Sequence, residues 1–171
     1  LMETIPYFFI KDKNNDTEFM PMGLVQTPQS FYNQDLFQFH FFSKRIIPNE
    51  QDFFSKEINV LKNANYAAIY TGSNALLSRK AINDIGGFPY HTITEDFETS
   101  IRLQKAGYMT YSTKESLAAG LSTTTISSMI KQRTRWARGV IQSLQNTHAL
   151  ITPKLNLVTK LSYFNAFLYW W

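Results

Sequence analysis

The chain has 171 residues, of which 44% are hydrophobic and 15% aromatic. That length is enough for one domain with a buried core, and the composition excludes a disordered tail. The absence of cysteine excludes disulfides and thiolate metal sites. The net charge of +4 is uneven, because residues 116–171 contain six basic residues and no acid. This pattern suits a phosphate-rich ligand, an anionic membrane surface or nucleic acid.

The first third of the chain predicts short elements around an aromatic stretch. Residues 1–10 are typical of the end of a helix, and residues 11–18 of a polar surface loop. Residues 23–27 predict a strand that Pro28 stops. Residues 31–42 are strongly aromatic, which favours core or lid packing, with one wall of a sugar-binding cleft as the alternative.

The middle of the chain alternates helices with strands. Apolar residues near helical spacing predict a helix over residues 49–63, and residues 67–70 and 75–77 predict strands. The Thr-Gly-Ser-Asn segment at 71–74 either lets a ligand approach the backbone closely or forms a tight β-bulge. A short helix over residues 79–85 is closed by a pair of glycines.

Two longer helices are predicted in the last third. Thr94 is the expected N-cap of a helix over residues 95–106. A strand over residues 108–113 and a small-residue loop over 117–121 lead to a helix over residues 124–144. One face of that helix is predicted to be apolar and consists of Ile126, Ile130, Ala137, Ile141 and Leu144.

The alternation of strands and helices indicates an α/β fold rather than a helix bundle. The strands are few for a complete doubly wound sheet, which favours part of a larger domain. The final apolar run, residues 161–171, is shorter than the roughly 20 residues that cross a bilayer. It is interpreted as a membrane-interface segment or the beginning of a span.

The tripeptide Thr94-Glu95-Asp96 has two interpretations. One is structural: a capping threonine followed by acids that the helix dipole stabilises. The other is catalytic: Asp96 is a general base that takes a proton from an attacking sugar hydroxyl. An ordinary aspartate with a pKa near 3.9 is ionised at neutral pH, so either interpretation is chemically sound.

The segment from Gln132 to Gly139 also has two interpretations. A basic amphipathic helix can lie on anionic lipid. Alternatively, Arg133 and Arg135 donate paired hydrogen bonds to phosphate oxygens and neutralise a diphosphate leaving group. Trp136 then offers a flat face on which a pyranose ring can stack.

Several motifs together resemble the processive family 2 glycosyltransferases, specifically the catalytic subunits of bacterial cellulose synthases. Thr94-Glu95-Asp96 and Gln132-Arg133-x-Arg135-Trp136 are the specific pair. The resemblance extends in order and spacing to Gly23–Pro28, Phe31–Asn33, Gly72–Ala75, Gly86–Phe88 and Ala118–Leu121.

The resemblance implies a GT-A type (Rossmann-like) α/β domain, with residues 1–145 forming its C-terminal part and the donor-binding half outside this chain. Residues 146–171 would be a membrane-interface segment and the start of a transmembrane helix. The implied site contains Asp96 as base with Glu95 and Thr94 as motif neighbours. The implied substrate-binding residues are Gln132, Arg133, Arg135, Trp136, Asn74 and Ser73.

The implied reaction transfers glucose from UDP-glucose to a growing β-1,4-glucan, and the isolated chain is expected to be inactive. The implied cofactor is Mg²⁺ or Mn²⁺, held by an Asp-x-Asp motif that does not occur in this sequence. Implied partners are a glycan acceptor, the bacterial inner membrane with the domain on its cytoplasmic face, and an accessory subunit, but not nucleic acid. Synthases of hyaluronan, chitin or another β-glucan are the near alternatives, and a non-enzymatic membrane- or nucleic-acid-binding module is a remote one.

Overall fold

The structure, a computed structural model, describes residues 2–12, 17–36, 38 and 48–170. The strands are β1 (Met22–Gln26), β2 (Gln29–Phe31), β3 (Ala75–Leu77), β4 (Met109–Ser112) and β5 (Ala118–Gly120). A 3-10 helix at Ile5–Phe9 precedes them, where the sequence predicts a helix end. Residues 37 and 39–42 of the predicted aromatic stretch over residues 31–42 lie outside the described residues.

The helices follow the predicted order. The segment called α1 consists of four consecutive pieces. It begins as an α-helix at Glu50–Phe53, passes through a π-helical turn at Phe54–Ile58, returns to an α-helix at Asn59–Leu61 and ends in a 3-10 turn at Lys62–Asn65. The others are α2 (Arg79–Asp84), α3 (Glu95–Lys105), α4 (Ile126–Thr147) and α5 (Leu157–Trp170). This mixed α/β architecture confirms the predicted class.

Two small sheets carry the strands. The first has the order β3-β1-β4, with β1 antiparallel to β3 and parallel to β4. All five residues of β1 are buried, so it is the centre of this sheet. The second sheet pairs β2 with β5 in parallel. The prediction of a loop over residues 117–121 was therefore wrong, since residues 118–120 pair with β2. Backbone hydrogen bonds form this pairing, and a short run of small side chains carries no strand pattern from which to predict it.

The predicted strand over residues 67–70 is also not formed. Ala67 makes only an isolated bridge to Thr110. The Ala68 N–H still donates to the Thr110 carbonyl of β4, but the N–H groups of the next two residues bond to side chains instead of a neighbouring strand. The Ile69 N–H donates to Asn59 Oδ1 over 2.7 Å, and the Tyr70 N–H donates to Ser100 Oγ over 2.7 Å. Side chains on α1 and α3 thus replace the sheet partner.

The main core lies between α3, α4 and α5. Its buried members are Ile69, Phe97, Ile101, Val140, Leu144, Ala149, Leu155 and Tyr163. Polar contacts reinforce the α3–α4 pair along its length. Asn146 Nδ2 donates to the buried carboxylate of Glu98 over 3.1 Å, and Lys105 Nζ donates to the Thr147 carbonyl over 2.6 Å. These contacts fix the two motif-bearing helices relative to each other.

The predicted apolar face of α4 is correct only in its second half. Leu144 is buried, but Ile126 and Ile130 are exposed at 58% and 55%. The buried residues of α4 begin only at Gly139, and its members of the main core are Val140 and Leu144.

The C-terminal residues are better packed than the sequence suggests. Tyr163 is buried, and its hydroxyl donates to Gln104 Oε1 on α3 over 2.6 Å. Phe167 and Trp170 also pack against the main core. One face of α5 is therefore anchored in the core, while its opposite face is apolar and exposed. None of the described helices is long and apolar enough to cross a membrane.

We expect a pH-dependent contribution to stability from Lys62, at the end of α1. Its ammonium group donates to Ser162 Oγ on α5, and burial lowers its pKa to about 8. The unfolded chain retains this proton up to a pH of about 10.4. The free energy of unfolding should therefore rise as the pH increases from about 8 toward 10.4, since the unfolded state binds more protons there.

Thermal unfolding of the wild-type protein and of Lys62→Met across that range checks this expectation. The wild type should gain stability relative to Lys62→Met as the pH rises. Parallel pH curves for the two proteins would show that Lys62 is charged in the folded state.

Candidate active site

The N-terminus of α3 is pressed closely against α4. A Cβ at Gly139 would lie only 2.3 Å from Thr94 Cγ2 and 2.5 Å from Thr94 Oγ1. The Thr94 side chain makes no capping bond to α3, and its hydroxyl instead lies 3.3 Å from Ser143 Oγ. Thr94 is thus the N-cap residue of α3, as predicted, but its side chain makes no capping bond because its hydroxyl faces Ser143 on α4. Glycine at 139 is what permits this contact.

The loop before Thr94 is attached to the same stretch of α4. The Ile93 N–H donates to Gln142 Oε1 over 3.1 Å, and Thr92 Oγ1 lies 3.3 Å from Ser143 Oγ. The loop and the first turn of α3 are thus held as one unit against α4, which places Glu95 and Asp96 at a defined position.

Asp96 is the central carboxylate of this region. Its Oδ1 accepts a hydrogen bond from the Phe97 N–H over 2.7 Å. Burial raises the pKa of Asp96 above its ordinary value, with a further increase from Glu95 that the Phe97 bond and the charge of Arg135 partly offset. A carboxylate whose pKa is raised binds a proton more tightly, so it is a suitable proton acceptor.

The segment 71–74 lies directly against Asp96. Gly72 has a φ of +84°, and a Cβ there would lie 2.9 Å from Asp96 Oδ2. The sequence predicted close approach of a ligand or a tight bulge at this segment, and in the structure the Asp96 carboxylate makes that approach. A side chain at position 72 would be strained and would displace the carboxylate.

Gln26 and Thr27 hold this segment in place. The buried Gln26 side chain accepts from the Thr71 N–H over 3.1 Å and donates to the Ser73 carbonyl over 2.8 Å. The Asn74 carbonyl accepts from both the N–H and the hydroxyl of Thr27. Asn74 adopts a left-handed conformation with φ of 54°, which asparagine tolerates better than most residues. The carbonyls of Ser73 and Asn74 are therefore occupied, while the Ser73 residue is exposed.

Tyr70 extends the same environment. Its backbone N–H reaches Ser100 Oγ, which in turn donates to the Asp96 carbonyl over 3.1 Å. Burial raises the pKa of the Tyr70 hydroxyl, and the charges of Asp96 and Glu95 raise it further. Tyr70 thus remains a neutral hydroxyl beside the carboxylates at physiological pH.

The four motif residues on α4 have different surroundings. Arg135 is exposed and makes no hydrogen bond or ion pair among the described residues, and its charge lowers the pKa of Asp96. Trp136 is half-buried, with its ring packed edge to face against Trp170 of α5 at 6.3 Å between centroids. Gln132 lines a small cleft that also contains Asp35, Asn49 and Ser122.

Arg133 is already bound within the protein. Its Nη1 donates to Glu50 Oε1 over 3.1 Å, and its Nη2 donates to Oε2 of the same carboxylate. The hydrogen bonds to Glu50 raise the pKa of Arg133. The sequence predicted the same role for Arg133 and Arg135, whereas among the described residues Arg133 is paired and the Arg135 guanidinium is not. Glu50 itself was not predicted, since an acid after Asn49 reads only as the first turn of a capped helix.

Comparison with known proteins identifies the family to which this domain belongs. Residues 12–171 match the family described as glycosyl transferase family group 2. The chain belongs to this glycosyltransferase family. The Thr94-Glu95-Asp96 and Gln132–Trp136 motifs that the geometry brings together therefore lie in a glycosyltransferase domain.

Three relatives show where in the family the similarity is strong. The cellulose synthase 1 catalytic subunit (UDP-forming) of Komagataeibacter xylinus is 38% identical over 145 residues, covering 85% of this chain and 20% of that protein. The corresponding subunit of Xanthomonas axonopodis pv. citri is 35% identical over 151 residues, covering 86% and 20%. That of Pseudomonas fluorescens is 32% identical over 162 residues, covering 95% and 21%. The glycosyltransferase chain thus spans about a fifth of the length of these curated relatives.

A divalent metal is the cofactor implied for such glycosyltransferases. In the part of the chain that the structure describes, no three His, Asp or Glu side chains are grouped so as to hold a metal ion. Glu95 and Asp96 are adjacent carboxylates, but no third metal-binding side chain joins them among the described residues. The pKa of Asp96 responds to burial and to the positive charge of Arg135. These residues therefore do not fit a metal centre by themselves.

Proposed function

We propose that the full-length protein is a membrane-embedded, processive and inverting glycosyltransferase that transfers glucose from UDP-glucose to a growing β-1,4-glucan. The observation that carries this proposal is the partly buried Asp96 carboxylate at the start of α3, whose pKa responds to the charge of Arg135 on α4. The same helix α4 also presents Trp136. A base, a cation and an aromatic face are the groups that such a transfer requires around the sugar. Similarity to UDP-forming cellulose synthase subunits supports the choice of donor and product.

In this proposal Asp96 is the general base. It takes the proton of an acceptor hydroxyl while the hydroxyl oxygen attacks C1 of the donor sugar. The bond from C1 to the β-phosphate oxygen breaks, UDP departs with the bonding electrons, and the configuration at C1 inverts. The hydrogen bond from Phe97 to Oδ1 fixes the carboxylate, and positioning of this kind supplies much of the rate enhancement. Glu95 and Thr94 contribute through the position of the helix end.

We assign the leaving diphosphate to Arg135. Its guanidinium is exposed and unpaired among the described residues, so it can donate two hydrogen bonds to phosphate oxygens. It would neutralise charge as the bond to C1 breaks, which stabilises the transition state more than the ground state. Arg133 is a weaker choice because both of its terminal nitrogens already donate hydrogen bonds to the Glu50 carboxylate.

The acceptor glycan is assigned to the other motif residues. Trp136 would stack under a pyranose ring, and Gln132 would hydrogen-bond sugar hydroxyls from its polar cleft. Ser73 and Asn74 lie on the segment that contacts Asp96 and would bind the acceptor sugar beside the base. Their position follows from the bonds of Gln26 and Thr27 to that segment.

The membrane assignment rests on α5. The exposed apolar residues of this helix are Leu157, Val158, Leu161, Phe164 and Leu168. We propose that residues 1–145 are part of a GT-A domain and that residues 146–171 meet the cytoplasmic face of the bacterial inner membrane. A divalent cation held by residues outside this chain and an accessory subunit are parts of the same proposal.

The proposal is tested with the full-length protein in native membranes. UDP-glucose, UDP-N-acetylglucosamine and UDP-glucuronate, each radiolabelled, are supplied separately, and the polymer is digested with β-1,4-glucanase. We expect incorporation from UDP-glucose alone into a glucanase-sensitive product. Incorporation from another donor would point to a chitin- or hyaluronan-type synthase, and no incorporation from any donor would contradict the glycosyltransferase assignment.

We expect Trp136→Ala to weaken elongation while leaving UDP affinity nearly unchanged. Removing a stacking platform costs the acceptor contact about 0.5–1.5 kcal/mol, or about 2- to 10-fold in acceptor use. The measurement is the apparent KM for added oligosaccharide together with the inhibition constant of UDP.

Trp170→Ala is the matched control for that experiment. It removes the same ring contact from the side of α5 but keeps the Trp136 ring itself, so acceptor use should fall less than in Trp136→Ala. If UDP inhibition weakened in Trp136→Ala while acceptor use was normal, Trp136 would belong to the nucleotide end of the site instead.

A further inference from the structure

Glu50 connects three parts of the chain that are distant in sequence. It is the first residue of α1, and its carboxylate accepts hydrogen bonds from both terminal nitrogens of Arg133 on α4, 83 residues away. The Tyr169 hydroxyl, on the last turn of α5, also donates to Glu50 Oε1. We call this group, Glu50 with Arg133 and Tyr169, the Glu50 clasp.

The clasp has the properties of a specific interaction rather than a loose surface pair. The side chains of Arg133 and Glu50 are 30% and 41% exposed, so both are partly withdrawn from water. Burial alone would raise the pKa of Glu50, but the hydrogen bonds from Arg133 and Tyr169 outweigh it and lower the pKa overall. A bidentate arginine–carboxylate pair fixes orientation as well as distance.

The base of the clasp is itself well anchored. The buried Asn49 caps α1, with its Oδ1 accepting from the Gln51 N–H over 3.0 Å. One turn later, Lys56 pairs with Asp52 and donates to Ser30 Oγ of β2 over 3.3 Å. Glu50 is therefore presented from a fixed helix end that is attached to the second sheet.

The other end of the clasp leads to the acceptor platform. Tyr169 packs against Trp170 at 4.9 Å between ring centroids, and Trp170 packs against Trp136 at 6.3 Å. Glu50 thus acts on α4 twice, directly through Arg133 and indirectly through the last turn of α5. Arg135 and Trp136 lie two and three residues after Arg133 on this helix.

We propose that Glu50 is a positioning residue: through Arg133 and Tyr169 it sets the orientation of α4 and α5 so that Arg135 and Trp136 face the substrates. This inference rests on the proposed function. It gives Arg133 a role within the protein and leaves the diphosphate to Arg135. The opposing view is that Arg133 leaves Glu50 during catalysis and binds the diphosphate itself.

A double-mutant cycle in the full-length protein separates the two views. Glu50→Gln, Arg133→Gln and the combined variant are compared for kcat, for KM of UDP-glucose and for the inhibition constant of UDP. If the two residues act as one unit, each single variant lowers kcat about 10-fold and the double variant lowers it by the same factor. UDP inhibition should remain within about 2-fold of the wild type, because no phosphate contact is lost.

Two further variants sharpen the cycle. Tyr169→Phe removes only the contact from α5 and should produce a smaller fall in kcat than Glu50→Gln. Asp84→Asn removes a carboxylate from an exposed ion pair with Lys80 on α2 and should leave kcat unchanged. Melting temperatures of all variants show whether a fall in kcat accompanies global unfolding.

The positioning role would be overturned if the fall in kcat of the double variant equalled the product of the two single falls. It would also be overturned if UDP inhibited Arg133→Gln less strongly while kcat and UDP inhibition of Glu50→Gln were normal. A wild-type protein that transfers no sugar would contradict the proposed function itself. The two failures are thus distinguishable, since the cycle is read against an active wild type.

Discussion

The Asp96→Asn variant of the full-length protein should lose sugar transfer by a factor of about 10²–10⁴, the range typical of a missing general base. Asparagine keeps the size of the side chain and an oxygen that can accept from the Phe97 N–H. It cannot accept the proton of the acceptor hydroxyl. Binding of UDP-glucose should be largely retained because Arg135 is untouched.

The stability of the same variant gives an independent readout. Burial raises the folded-state pKa of Asp96, so the unfolded chain releases this proton at lower pH than the folded chain does. Stability from this group therefore falls as the pH rises through that window, and at neutral pH the ionised carboxylate destabilises the fold. Asparagine removes that penalty, so we expect the melting temperature to be unchanged or raised.

Melting and turnover measured on one preparation separate the catalytic role from a structural one. If Asp96 were only an acid that the helix dipole favours, its replacement would reduce stability by about 0.3–1 kcal/mol with near-normal turnover. Asp84→Asn is the control, since it removes an exposed carboxylate on α2 that belongs to none of the motifs of the candidate site. Its turnover should remain close to that of the wild type.

Gly139→Ala should be the most damaging small substitution on α4. The added Cβ would lie 2.3 Å from Thr94 Cγ2 and 2.8 Å from Thr94 Cβ, so α3 and α4 would have to move apart. Overpacking of this kind costs about 1–3 kcal/mol, of which the better helix propensity of alanine recovers up to about 1 kcal/mol. Because the displaced element carries Asp96, turnover should fall by about 10²-fold for a shift near 1 Å.

Chemical unfolding and turnover assays check this expectation together. Gln145→Ala is the control on the same helix, at an exposed position, and should leave both quantities unchanged. Adding Thr94→Ala to Gly139→Ala removes the two closest atoms and should restore part of the lost stability. If Gly139→Ala alone were as stable and active as the wild type, the close α3–α4 contact would not position the base.

Much of the secondary structure could be predicted, because patterns among neighbouring residues determine where these helices and strands begin and end. The helix over residues 95–105 and the strands at β1 and β3 follow apolar spacing, proline and glycine. The failures are contacts between distant residues. Tyr70 bonds to Ser100 instead of a strand, and Tyr163 reaches Gln104 across 59 positions. No local pattern encodes these partners.

The candidate site divides in the same way. Its motif residues could be found from sequence, because an acid at a helix start and arginines beside a tryptophan carry recognisable chemistry. What the sequence could not predict was which arginine is already paired. Glu50 and Arg133 are 83 positions apart, and their pairing depends on how α1 packs beside α4. Likewise, Gly72 appeared to make room for a ligand, whereas the Asp96 carboxylate occupies that approach.

The account as a whole depends on transfer with inversion at C1, driven by Asp96. The most direct test is the anomeric configuration of the product made by the full-length protein from UDP-[¹³C]glucose, read by NMR from the coupling between H1 and H2. We predict a newly formed β linkage from the α-linked donor, and at least about 10²-fold less labelled product with Asp96→Asn. An α linkage, or a labelled product of equal yield from Asp96→Asn, would contradict the account.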